Sequence, residues 1–191
     1  MVNKMKGIFS FGVLLMLFGV SSNLAAFGYT PNEPKIQSVT DWKDFHSVPG
    51  RCSISMPHMP EHVQQVMPFH EEGFQLRYDV YLAAFEKKAV YMVLIAEYPP
   101  TLDQEYSSNS LEVFLNSLVT QREGNKLIFA DITDVQGNKA LDFFIETKGV
   151  YFKGRAIMAK NHLYLLAMEC ESKHYLENHF NHFITSFELK K

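Results

Sequence analysis

Residues Met56 to His70, MPHMPEHVQQVMPFH, place three methionines and three histidines within fifteen positions. Thioether sulfur and imidazole are the donors that copper selects. As a loop, this stretch could wrap a metal ion with His58, His62 and His70, aided by Met56, Met59 and Met67. The competing reading is a solvated connection with scattered histidines. Met56 alternates toward the apolar side of a strand, and Met59 and Met67 each adjoin a proline, as gap-filling methionines do. Pro60 stands between His58 and His62 and excludes a regular helix there. No Met-x-x-Met repeat and no cysteine at ligand spacing sharpens the signal.

A second histidine group, His174, His179 and His182, lies near the C-terminus. On a helix His179 and His182 fall about 60° apart on one rim of the apolar stripe, and His174 about 140° from His179. Three ligands do not converge from that helix alone. Nucleophilic chemistry is no better supported. There is no Gly-x-Ser-x-Gly elbow and no His-Glu-x-x-His, and no glycine-rich loop opens a helix. Asp131 and Asp134 read as a solvated strand end. Cys52 alternates with Ile54 and Met56, and Cys170 with Met168, Leu166 and Tyr164. Both thiols therefore face apolar sides, where they are inert. In an oxidising compartment the pair is a candidate disulfide; the alternative is two buried free thiols. The residues call for no cofactor and no catalytic group.

The N-terminus supplies the compartment. Lys4 and Lys6 precede the apolar run Gly7–Val20, and small residues follow at Ala25 and Ala26. That order reads as a secretory signal peptide, residues 1–26. The run is shorter than the ~20 residues of a membrane-spanning helix, so no stable span remains after cleavage; a retained signal anchor is the alternative. No cysteine lies in this zone, which leaves out a lipoprotein anchor of the bacterial type. With Lys4 and Lys6 removed, the 18 basic residues become 16 against 21 acidic ones, a formal charge of −5. That balance argues against nucleic acid, whose binding rests on clustered Lys and Arg.

The elements that must position these residues follow from period and turn chemistry. Residues 27–41 carry two prolines and read as a flexible lead-in, and 42–191 as one domain. Trp42 and Phe45 suggest an edge cluster. Residues 51–56 alternate as a first strand, after which Pro57, Pro60 and Pro68 predict a loop over 58–70. Gly73–Phe85 and Ala89–Tyr98 form an antiparallel hairpin around a charged turn. Asn109 and Glu112 fit a capping box, and Leu111, Phe114, Leu115, Leu118 and Val119 form one helical stripe. Lys126–Thr133, Lys139–Thr147, Tyr151–Lys160 and His162–Cys170 form a meander joined by turn residues. A second helix spans about Ser172 to Phe187, its stripe formed by Leu176, Phe180, Phe183, Ile184 and Phe187. The order specifies an α+β fold: a central antiparallel sheet of six to seven strands flanked by two main helices.

The two ends, GRCSISMPHMP and YFKGRAIMAKNHLYLLAMECESKHYLENHFNHFITSFEL, resemble the ends of PsbP/MOG-like domains. The likeness lies in a strand closing on a proline turn, then a strand hairpin and final helix ending in Phe183-Ile184-Thr185-Ser186-Phe187. It covers about Trp42 to Leu189 in element order; Cys52 departs from the pattern's aromatic or aliphatic residue. The resemblance implies helices around a central antiparallel sheet. Members of that family serve as accessory or binding domains: photosystem-II extrinsic subunits, a Ran-binding factor and exported bacterial lipoproteins. It implies no catalytic residues.

The expectation for function is thus an exported, non-enzymatic binding domain, periplasmic or secreted, acting through loops at one end of the sheet on an envelope protein. The loops would be His58–His70 and Pro99–Ser108, with Tyr98 and Tyr106 (and Tyr29) as partner-binding aromatics. The second expectation is a metal- or small-ligand-binding envelope protein using the 56–70 loop.

Overall fold

The computed structural model describes residues 38–69, 74–99 and 107–190. Among these residues ten strands and two α-helices follow one another: β1 Lys43–Ser47, β2 Cys52–Met56, β3 Glu61–Phe69, β4 Phe74–Phe85, β5 Ala89–Glu97, α1 Ser107–Thr120, β6 Lys126–Val135, β7 Asn138–Thr147, β8 Val150–Ala159, β9 His162–Glu171, α2 Glu177–Thr185 and β10 Glu188–Leu189. Seven strands form one antiparallel sheet in the order β3-β4-β5-β9-β8-β7-β6, and β1-β2-β10 form a second.

The two faces of the large sheet bury separate cores. Leu94 and Ala96 of β5 and Leu163, Leu165 and Ala167 of β9 face α1, whose Leu111, Phe114 and Leu118 are buried against them. Tyr91, Val93 and Ile95 with Tyr164, Leu166 and Met168 face the opposite way, under the small sheet and α2. Strands β5 and β9 are covered on both faces, which explains their nearly continuous apolar runs. The architecture is therefore α+β with helices on both sides of an antiparallel sheet, as the sequence predicted. The α1 stripe and the meander fall where they were expected.

Several boundaries differ. Residues 61–69 are a strand, not a loop, paired along its length with β4 from Glu61↔Leu82 to Phe69↔Phe74. An edge strand tolerates proline, so Pro68 does not stop it. Strand β2 belongs to the small sheet, paired with β1 and β10. Phe45 lies on β1, an edge strand of the small sheet, and with Trp42 just before it is buried in the core. Helix α1 starts at Ser107, so Asn109 lies in its first turn and is not the cap. The last helix is shorter than predicted: Ser172–His174 is a 3-10 turn, and Leu176 is the exposed residue preceding α2. The predicted signal peptide, most of the 27–41 lead-in, His70 and Tyr106 lie outside the described residues. Among the described residues no helix is long and apolar enough to cross a membrane.

Candidate functional site: a basic cleft between the two sheets

The turns of the large sheet divide between its two ends. One end carries the 57–60, 86–88 and 148–149 connections, and the other carries residues 98–99 after β5 and the turns at 136–137 and 160–161. At the second end the large sheet runs past the small one, which finishes at the 48–51 turn. The uncovered ends of β4, β5, β8 and β9 then form the back wall of a cleft of about 640 Å³.

Alternation decides what the wall offers. Arg77 and Asp79 lie on the same side of β4 as Tyr81, Glu97 on the side of Ile95, and His162 on the side of Tyr164. Arg51 enters from the turn after β1, Lys160 from the β8–β9 turn and Lys190 from beyond β10, so four cations meet two acids, Asp79 and Glu97. Of three lining residues the backbone adopts left-handed conformations: Arg51 (φ 46°), Gln136 (φ 51°) and Lys160 (φ 53°). Such angles are uncommon for residues with a side chain and are held here by tight turns.

Hydrogen bonds fix the rim. The Tyr164 hydroxyl donates to the Gly50 carbonyl at 2.8 Å. Gly50 has no room for a side chain, because a Cβ would stand 2.2 Å from Ile95 Cδ1. The Gln136 amide bridges the two sheets: its Nε2 donates to the Phe187 carbonyl at 2.8 Å, and its Oε1 accepts from the Leu189 N–H at 2.9 Å. Asn161 donates to the Tyr98 carbonyl at 2.8 Å, anchoring the chain just after β5 beside the cleft.

Electrostatically the cations are not equivalent. Asp79 is 5% exposed. Its carboxylate is engaged by His62 Nε2 at 2.7 Å, by Gln64 Nε2 at 3.0 Å and more loosely by Arg77 Nε at 3.7 Å. Lys190 pairs with Glu188 at 2.6 Å. Arg51 and Lys160 make no side-chain hydrogen bond or ion pair among the described residues. Burial holds His162 below the usual imidazole range, opposed by Glu97 and reinforced by Arg51 and Lys160.

The residues singled out in the sequence are dispersed. His58 lies at the opposite end of the sheet from Pro99, its two ring nitrogens on the carbonyls of Met59 (2.8 Å) and Ala84 (3.0 Å), so neither is open to a metal. His62 is the partner of Asp79 and stacks on Tyr81. The described part of the stretch, Met56 to Phe69, runs from one end of the sheet to the other; His70 lies outside the described residues. Among the described residues no group of three or more His, Cys, Asp or Glu could hold a metal. Tyr98 is 2% exposed, a core residue and not a partner-facing one.

Cys52 and Cys170 are free, buried thiols rather than a disulfide. Tyr164 reaches the Gly50 carbonyl, two residues before Cys52. Cys170 lies six residues farther along β9, roughly 20 Å away at the rise of a strand. A bridge needs Cα atoms within ~7 Å. Burial pushes the Cys52 thiol up to about 12 and that of Cys170 up to about 11, so neither is a thiolate nucleophile at neutral pH.

The cleft itself was missed. Its four basic residues are scattered from position 51 to position 190, and only the fold gathers them. The available signal was a basic residue placed in a tight turn, at Arg51 and again at Lys160.

No family model and no curated protein matches the chain. Among solved structures it is similar to the solution structure of cyanobacterial PsbP (CyanoP) from Synechocystis sp. PCC 6803. The TM-score is 0.50 at 13% identity, over 86% of this chain and 99% of that one. The chain is also similar to PA94 of Pseudomonas aeruginosa, a protein of unknown function, with TM-score 0.36 and 13% identity over 58% of this chain and 85% of that one. The fold is PsbP-like, and the resemblance read from the two ends of the sequence holds at that level.

Proposed function

We propose that this PsbP-like chain is an exported, non-enzymatic accessory domain that binds an envelope protein through the cleft end of its large sheet. The observation that carries the reading is a pair of cations, Arg51 and Lys160, that line a cleft on an acidic protein and make no ion pair among the described residues. Opposed charge on an otherwise repelling surface steers a partner to one place. Val48, 85% exposed in the same turn as Arg51, adds an apolar contact beside them. Of the two predicted loops, the one following Pro99 starts at this end; His58 does not.

Two features of the groups present support the non-enzymatic reading. The buried thiols are poor nucleophiles, and Asp79 is spent on His62 and Gln64. The export reading rests on the N-terminal pattern of charge, apolar run and small residues.

The test is co-purification from the native cells. Deleting Thr101–Ser107 removes the partner while the melting temperature stays nearly unchanged, whereas altering Met59 at the opposite end leaves the partner bound. A partner retained after the deletion overturns the placement.

A further inference from the structure

We infer that the cleft takes an acidic segment of a protein chain, held by its carboxylates; this rests on the binding-domain reading above. The first ground is charge. The chain as a whole is acidic, with 21 acidic against 18 basic residues, yet four cations face two acids in the cleft. The acids present do not use up the cations. Asp79 is satisfied from β3 and by Arg77, and Glu188 pairs with Lys190; Glu97 alone remains against Arg51 and Lys160, which make no ion pair among the described residues.

The second ground is geometry. The cations come from four separate elements around the rim: the β1–β2 turn, β4, the β8–β9 turn and the chain after β10. That distribution suits several carboxylates along one segment rather than a single small anion. None of the lining residues opens a helix, so the usual cradle for a phosphate is missing. Arg51 supplies a planar fork that can grip a carboxylate at two points, and Lys160 a point charge. The strained turns at Arg51 and Lys160 hold both residues at the mouth before any ligand arrives. The cavity of about 640 Å³ accommodates a few side chains, with exposed Val48 and Pro49 flanking it for apolar contact.

The test is fluorescence anisotropy of the purified protein with a labelled peptide alternating Glu and Ser, against its Gln-Ser counterpart. The Glu peptide binds at ~50 mM NaCl and is released severalfold at about 300 mM, as screening requires. The double variant Arg51→Gln/Lys160→Gln weakens binding about tenfold or more, two lost charge-assisted contacts being large enough for that. Glu97→Gln removes an opposing charge and tightens binding, a gain that a folding defect does not produce. Equal binding of the Gln peptide, an unchanged affinity in the double variant, or full displacement of the peptide by an equal concentration of inorganic phosphate each overturns the proposal. If the native partner still co-purifies in a loop-dependent way while the peptide fails, the acidic chemistry falls and the binding-domain reading stands.

Discussion

The hydroxyl of Tyr164, in the middle of the large sheet, donates to the carbonyl of Gly50 in the small one, 2.8 Å away. This buried bond locks the turn that carries Val48 and Arg51 onto the strand that forms the back of the cleft. Tyr164→Phe leaves that carbonyl without its donor. The expected loss is about 1–2 kcal/mol of stability by denaturant unfolding, in the range for one buried hydrogen bond. Partner binding weakens by more than the small stability change would cause, because Arg51 is no longer held.

Gln136 is the second tie between the sheets. Its side-chain amide takes the place of a neighbouring strand for the chain around β10, donating to Phe187 and accepting from Leu189. Gln136→Ala removes both bonds at once and costs about 1–3 kcal/mol. Hydrogen exchange then rises at Leu189, whose N–H loses its acceptor, and not in α1, on the far side of the sheet.

His179 sets a pH dependence. The residue is 6% exposed, its ring packs edge-on against Trp42 and Phe85, and its Nδ1 has no hydrogen-bond partner among the described residues. Burial holds its pKa below the usual imidazole range; Glu86 opposes this and His182 reinforces it. The unfolded chain therefore takes up a proton first as pH falls. Stability is fully present above the unfolded histidine pKa of about 6.5 and is lost as pH drops through the lower folded value. Thermal melts between neutral pH and mild acid check this: the melting temperature declines in the native protein, and His179→Phe flattens the decline.

The two cysteines give a chemical prediction. Both are buried, and their raised pKa values disfavour the thiolate. A thiol reagent at neutral pH labels neither in the native protein and both after unfolding. The intact mass shows no loss of two hydrogens. Labelling of Cys52 in the folded state would mean that the turn at the cleft opens.

Much of the fold was legible because its signals are local. The α1 stripe of Leu111, Phe114 and Leu118 follows from helical period alone. The meander turns are marked by Gly137, Asn138, Gly149 and Asn161, and Gln136, Gly137, Lys148, Gly149 and Lys160 adopt left-handed backbone there. What the sequence obscured depends on tertiary placement. Strand β3 was masked by Pro60 and Pro68, which read as breakers but flank or occupy an edge strand. The 56–70 stretch reads as one site because its histidines are close in sequence; in the fold His58 precedes β3 and bonds to backbone carbonyls, whereas His62 lies on the strand against Asp79. The cleft has the opposite character, since Arg51, Arg77, Lys160 and Lys190 meet only after β1, β4, β8 and β10 are in register. Tyr98, next to Pro99, reads in sequence as a loop-side surface aromatic, yet alternation along β5 carries it into the α1 core.

The most direct test of the central claim is site-specific photocrosslinking in the native cells. A benzophenone side chain is placed at Val48 in one strain and at Met59 in another. Both positions are exposed, at 85% and 63%, and they lie at opposite ends of the sheet. The account predicts a discrete adduct with an envelope protein from position 48 and none from position 59. Adducts from 59 alone, or equally from both, would contradict it.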